Sequence, residues 1–169
     1  LVKYKIIKIA KNICQAYYFL DKGEKPMISI SELMNFGKEE IMDLDKLKFH
    51  KEHAWVKVSG RKATIGITDY AQDSLGDIVY IELPEVDSDV EIDGEIGEIE
   101  STKATSSIIS PISGKIIDVN DELSESPEII NEDPYGKGWI ALLELDDISE
   151  LDDLMDASEY AKYVEEEAQ

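Results

Sequence analysis

Gly94-Glu95-Ile96-Gly97-Glu98-Ile99 is echoed twenty residues later by Gly114-Lys115-Ile116-Ile117-Asp118-Val119. Each unit reads glycine, charged residue, isoleucine, any residue, acid, branched apolar residue. Branched apolar residues set among charged ones over so short a span favour a strand with one face against a core. Two such units fit the quasi-symmetric halves of one small sandwich. A six-residue match is short, so its weight is positional. Lys103 lies between the units, where a connecting hairpin is expected.

Outward from this pair the period-two pattern continues. Trp55-Val56-Lys57-Val58, the turn Ser59-Gly60-Arg61-Lys62 and Ala63-Thr64-Ile65-Gly66-Ile67 predict a β-hairpin. Thr68 is placed to cap a short helix through Asp69-Tyr70-Ala71-Gln72-Asp73-Ser74-Leu75, and Gly76 to end it. Ile78-Val79-Tyr80-Ile81-Glu82-Leu83 is the strongest strand, and Pro84, which has no N–H to donate, stops it. Further strands are expected over 95–100, 107–109, 115–119 and 139–145. Short strands at this spacing predict a sandwich or barrel. The end of the chain reads as helix. Ser149 and Asp152 form a capping-box pattern ahead of Leu151, Leu154 and Met155. Ala157, Tyr160, Ala161 and Val164 continue an apolar stripe, which predicts core packing.

Composition removes several function classes. The net charge of −21 over 169 residues argues against nucleic acid and anionic membrane as partners, because phosphate binding needs clustered Lys and Arg. It favours solubility and encounters with basic patches on other proteins. A single cysteine, Cys14, gives no internal disulfide framework and fits a reducing compartment. One cysteine and two histidines leave too few ligands for a zinc site of the usual Cys/His type. No Ser/His/acid, Cys/His or phosphate-loop constellation appears, so an enzyme is not expected. No apolar run approaches the roughly 20 residues of a membrane-spanning helix.

The charge is unevenly spread. Residues 1–41 hold seven Lys against five acids, a net of +2, while 42–169 hold ten Lys or Arg against 33 acids, a net of −23. Residues 1–20 mix Lys3, Lys5, Lys8 and Lys11 with Ile, Tyr and Phe, as a short basic amphipathic helix would. The segment has neither the clean apolar core of a secretory signal nor the Arg of a mitochondrial presequence. Residues 1–41 are therefore read as an N-terminal extension, non-native or disordered, with 42–169 as the functional domain. Codons for Lys38-Glu39-Glu40 can spell the purine-rich run that bacterial ribosomes bind, which makes Met42 the expected start and a bacterial cytoplasm the expected location.

Lys103 is the only lysine between Lys62 and Lys115, and small polar residues flank it in Glu100-Ser101-Thr102-Lys103-Ala104-Thr105-Ser106-Ser107. For most lysines the ordinary reading, a solvated surface charge, is sufficient. Here the whole string Gly97-Glu98-Ile99-Glu100-Ser101-Thr102-Lys103-Ala104-Thr105-Ser106-Ser107-Ile108-Ile109-Ser110-Pro111-Ile112-Ser113-Gly114 resembles the lipoyl-attachment region of glycine cleavage H-proteins. His53-Ala54-Trp55-Val56 resembles their opening motif, and 65–77 their first helix and its flanks. Asn131-Glu132-Asp133-Pro134-Tyr135-Gly136-Lys137-Gly138-Trp139 resembles their Pro-Tyr-Gly…Gly-Trp loop. The resemblance runs in unbroken order over about 47–167 and does not reach 1–41.

The resemblance implies a mainly β barrel-sandwich hybrid of the lipoyl/biotinyl-carrier type, with a short internal helix and C-terminal helices. It implies lipoic acid joined by an amide to Lys103 at a hairpin tip, in a carrier that catalyses no step itself. The arm would take the aminomethyl group of glycine at the pyridoxal-phosphate-dependent glycine decarboxylase and deliver it to the aminomethyltransferase. Dihydrolipoamide dehydrogenase would reoxidise it. Glu100 and Gly114 match positions that the family's lipoylating enzymes read, although a turn glycine would also account for Gly114. Glu52, His53 and Ser107 match the cleft that receives the loaded arm. Two departures bear on that cleft. Ala54 and Ser107 stand where the family carries acids that hold a cationic arm, which leaves Glu52 and the general acidity to substitute. A second implied reading is a lipoyl carrier that relays lipoate to 2-oxoacid dehydrogenase complexes. A biotin carrier is disfavoured, because Thr102 and Ala104 replace the methionines that flank a biotinyl lysine.

Overall fold

The computed structural model describes residues 44–167, and those from Asp45 onward belong to one compact unit. The basic segment 1–20 and the expected start at Met42 lie outside the described residues. The strands are β1 (Leu47–Phe49), β2 (Ala54–Ser59), β3 (Lys62–Ile67), β4 (Ile78–Glu82), β5 (Asp89–Val90), β6 (Glu95–Ser101), β7 (Thr105–Ile109), β8 (Gly114–Val119) and β9 (Ala141–Leu145). Helix α1 (Asp69–Leu75) follows β3. The short helices α2 (Glu122–Glu125) and α3 (Ile129–Glu132) lie between β8 and β9. A 3-10 stretch, Ile148–Asp153, leads to the C-terminal helix α4 (Ala157–Glu167).

These strands form two antiparallel sheets, one of six strands in the order β1-β2-β3-β9-β8-β5 and one of three in the order β4-β6-β7. The sheets do not close into a barrel, yet they share a single core. Val56, Ile65, Ile116 and Leu143 of the larger sheet pack with Ile81, Ile99 and Ile108 of the smaller. The alternation in β9 shows the cause: Ala141, Leu143 and Leu145 are buried, while Leu142 and Glu144 turn outward.

The two sequence units become β6 and β8, one in each sheet, and each carries an irregularity in register, between Glu95 and Gly97 and between Ile116 and Asp118. An extra residue on one strand locally breaks period two, so Ile96 and Ile99 can both be buried in β6 although they are three apart. The hairpin that holds Lys103 joins β6 to β7, not to the second unit. Gly114 is not a turn glycine. It opens β8, pairs with Leu145, and is buried where a Cβ would collide with the Glu144 carbonyl.

Local signals set α1 as predicted: the Thr68 hydroxyl accepts from Ala71 N–H, and Gly76, at φ 83°, ends the helix. The C-terminal capping box does not form. Asp147 is the cap instead, its Oδ1 accepting from the N–H and hydroxyl of Ser149, each at 2.8 Å. That cap starts a 3-10 stretch, not an α-helix, and Leu154 beyond it is extended. Met155 is drawn into a bridge with Phe49, with N–H to carbonyl bonds of 2.9 Å in both directions. The stripe on α4 packs inward as expected, with Tyr160 1% exposed and stacked on Phe49 at 4.7 Å between ring centroids.

Candidate functional site

The β6–β7 connection is a tight turn, Ser101-Thr102-Lys103-Ala104, and a serine organises it. Ser101 Oγ accepts from the N–H groups of Lys103 (3.1 Å) and Ala104 (3.0 Å). Ser101 N–H donates to the Ala104 carbonyl at 2.8 Å, and Thr102 N–H to the Asp77 carbonyl at 3.0 Å. All four backbone N–H groups of the turn are thus satisfied, one of them by the chain just beyond α1. Lys103 projects from this support, exposed, and among the described residues it is in no ion pair. Its aliphatic stem lies over Gly76: a Cβ placed on Gly76 would come 3.0 Å from Lys103 Nζ and 3.1 Å from its Cε. Gly76 therefore serves the local structure twice, once by its positive φ and once by leaving room for the lysine.

Asn131 fixes that end of α1. Its amide nitrogen donates to Gln72 Oε1 (2.8 Å) and the Gly76 carbonyl (2.9 Å), and its Oδ1 accepts from Ile78 N–H (3.0 Å). The opening motif is tied in next to it, since Trp55 Nε1–H donates to the Pro134 carbonyl at 2.9 Å. Gly66, opposite Trp55 on β3, leaves space for the indole, which a Cβ would meet at 2.7 Å. Sequence segments far apart in the chain thus converge on the support beneath Lys103.

A cleft of about 400 Å³, open to solvent, runs beside this support. Leu75 of α1, Ile99 of β6 and Ser106 and Ser107 of β7 form the side next to the lysine turn. Glu52, His53, Tyr70 and Glu167 line it as well. The three residues expected at a docking cleft, Glu52, His53 and Ser107, therefore line one cavity. Ala54 does not line it; it is buried in β2, 4% exposed. Glu100 is exposed on β6, opposite Thr105 and three residues before the lysine. Gly114 lies in the other sheet.

Glu167 is the lining residue that sequence reasoning missed. It stands at the end of α4, four residues after Tyr163 and seven after Tyr160, so one helix face carries all three. That spacing was the available signal, hidden in the run Glu165-Glu166-Glu167. Glu167 Oε2 lies 3.0 Å from His53 Nε2, and its Oε1 accepts from Tyr163 O–H at 3.1 Å. On the other side of the imidazole, His53 Nδ1 lies 2.8 Å from the Tyr160 hydroxyl, which in turn lies 2.7 Å from Thr68 Oγ1. Burial lowers the His53 pKa, more strongly than the Glu167 and Glu52 carboxylates raise it. The neutral tautomer that satisfies every partner accepts from Tyr160 O–H at Nδ1 and donates from Nε2–H to Glu167. Burial also pushes the Tyr160 hydroxyl well above its usual range, so it stays a donor. His53 itself sits at φ 58°, a left-handed conformation that places its ring 4.7 Å from Tyr70 and 5.9 Å from Tyr163.

A chain with these features has known counterparts. The family model described as glycine cleavage H-protein matches residues 47–167. The glycine cleavage system H protein of Coprothermobacter proteolyticus is 52% identical over 124 residues, covering 73% of this chain and 98% of the relative. The mitochondrial glycine cleavage system H protein 2 of Arabidopsis thaliana is 53% identical over 124 residues, covering 73% and 80%. The crystal structure of a glycine cleavage system H protein from Mycobacterium marinum superposes with a TM-score of 0.65 at 35% identity, covering 70% of this chain and 95% of the other.

Proposed function

The chain belongs to the glycine cleavage H-protein family, and from that membership we propose that Lys103 is the residue that bears its lipoyl group. It is a lipoyl carrier of the glycine cleavage system. When bound, lipoic acid supplies a reducible dithiolane on a long amide-linked arm. The residues of this chain fit that load. Lys103 is exposed on a hydrogen-bonded turn, its stem has room over Gly76, and Ser106 and Ser107, just beyond the turn, line an open cleft of about 400 Å³. Acylation joins the lipoate carbonyl carbon to Nζ with loss of water and removes the lysine charge. Glu100, exposed on β6 three residues earlier, offers lipoylating enzymes an accessible carboxylate near the lysine turn. Gly114 keeps β9 close to β8 in the larger sheet, and its part in lipoylation recognition rests on the family resemblance.

The partners proposed are the glycine decarboxylase, which charges the arm with an aminomethyl group, the aminomethyltransferase, which removes it, and dihydrolipoamide dehydrogenase, which reoxidises the thiols. A tethered cargo visits successive active sites at a high effective concentration. Glu52, His53 and Ser107 line the cleft in which the cargo would be sheltered between visits. The single cysteine supports a reducing compartment, and we place the carrier in the cytoplasm.

The observation that carries the site assignment is the exposed lysine on its braced turn. Intact mass of the protein made in a lipoylating host tests it. The wild type should gain one lipoyl group, and Lys103→Arg should gain none while its circular dichroism is unchanged. A lipoyl group on any other lysine of the wild type overturns the assignment.

A further inference from the structure

We infer that the last turn of the C-terminal helix supplies the carboxylate that receives the cargo's amine, and that this residue is Glu167. The inference rests on Lys103 as the root of the arm. A cationic amine entering a partly enclosed cleft loses hydration, and a fixed carboxylate offsets that loss. Positions 54 and 107 are neutral in this chain, and Ala54 does not line the cleft at all. Among the described residues two carboxylates line it, Glu52 and Glu167.

Geometry separates the two. Among the described residues no side-chain hydrogen bond or ion pair fixes the exposed Glu52 carboxylate, whereas both oxygens of Glu167 have donors. A continuous run of hydrogen bonds aims Glu167: Ala71 N–H to Thr68, Thr68 with Tyr160, Tyr160 to His53, His53 to Glu167. An acceptor already ordered loses little further freedom when a ligand arrives. The imidazole in this run is held neutral by burial, so it orients Glu167 without cancelling its charge. Each carboxylate oxygen can accept more than one hydrogen bond, which leaves room for an ammonium group. Ser107, exposed on β7 and lining the same cleft, offers a hydroxyl oxygen as a second acceptor. A helix far from the lysine in sequence therefore closes the docking site.

The test uses full-length, lipoylated protein charged with the aminomethyl group and then freed of the charging enzyme. Wild type is compared with Glu167→Gln, Glu52→Gln and Glu166→Gln, the last an exposed neighbour outside the cleft that removes the same charge. Nitrogen NMR of the His53 ring and ammonia release over time are the two readouts. Charging should shift the His53 Nε2 resonance in wild type and not in Glu167→Gln. Ammonia should leave Glu167→Gln roughly fivefold faster than wild type, the size expected for one part-exposed charge-assisted hydrogen bond. Glu166→Gln should match wild type. Three results would overturn the inference: wild-type release from a fully lipoylated Glu167→Gln, equal effects at 166 and 167, or a larger effect at 52. Intact mass read beforehand separates the premise from the inference, because a protein without lipoyl on Lys103 defeats the arm assignment itself and this inference with it.

Discussion

Replacing Tyr160 by Phe isolates the hydroxyl that joins the C-terminal helix to the rest of the site. The ring is 1% exposed and stacked on Phe49 at an interplanar angle of 9°, so Phe keeps its packing. What disappears is the pair of hydrogen bonds to Thr68 Oγ1 at 2.7 Å and His53 Nδ1 at 2.8 Å. Each such bond contributes about 1 kcal/mol net, and a polar partner left buried costs somewhat more. Thr68 is fully buried but still accepts from Ala71 N–H, and His53 is close enough to the surface to find water. The sum is about 2 kcal/mol, or a drop in Tm of roughly 8 °C for a domain of this size. Differential scanning calorimetry at pH 7.5 reads it. A double-mutant cycle with Thr68→Ala should show a coupling of about 1 kcal/mol, since both changes break the same bond. A Tm within about 2 °C of wild type, or additivity of the two substitutions, would refute the idea that this hydroxyl holds helix and cleft together.

The two imidazoles should titrate low. Burial is the leading cause for both His50 and His53, so NMR midpoints below 6.5 are expected for each. Above the unfolded value both states are neutral. As pH falls through it the unfolded chain binds protons first, so these residues withdraw stability on the acid side until the folded midpoints are passed. A midpoint above 6.5 at either ring would contradict the burial seen here. Gly114→Ala should destabilise by about 3 kcal/mol in urea, because its Cβ must displace the Glu144 carbonyl from the β8–β9 ladder; an unaltered midpoint would mean that the ladder yields cheaply. We also propose that residues 42–169 suffice for folding and lipoylation, as the match over 47–167 supports. A truncated chain that stays unlipoylated in a lipoylating host would show that the N-terminal segment contributes.

What the sequence disclosed was local. Thr68, Gly76 and Pro84 act within a few residues, so the helix between β3 and β4 and the end of β4 could be located from them. The turn that holds Lys103 was likewise found from the small residues around it. Elements that exist only through distant partners were not found. Leu47-Lys48-Phe49 is too short to show a period and becomes a strand by pairing with β2 and bridging to Met155. The irregularities of register in β6 and β8 depend on neighbouring strands, and so does the role of Gly114. Glu167 acquires its meaning from His53, more than a hundred residues earlier, and nothing near either residue announces the other. The expected cap at Ser149 failed because Asp147 competes for the same backbone N–H.

The serine-bound turn also decides where a swinging arm is hinged. With the N–H groups of residues 101–104 all engaged, two by one hydroxyl and one by the Asp77 carbonyl, the backbone adds little travel of its own. The anchorage point is stationary, and the sweep begins at the Lys103 side chain. A tether on a loose loop would dilute its free end over a larger sphere, and the local concentration at a partner's catalytic centre would fall with that volume. Here the searched region is a cap of fixed radius above the tip of one hairpin, so a docked enzyme needs to meet only that tip. Loosening Ser101 would leave every atom of the arm in place and still make the carrier slower, by giving its far end more space in which to be elsewhere.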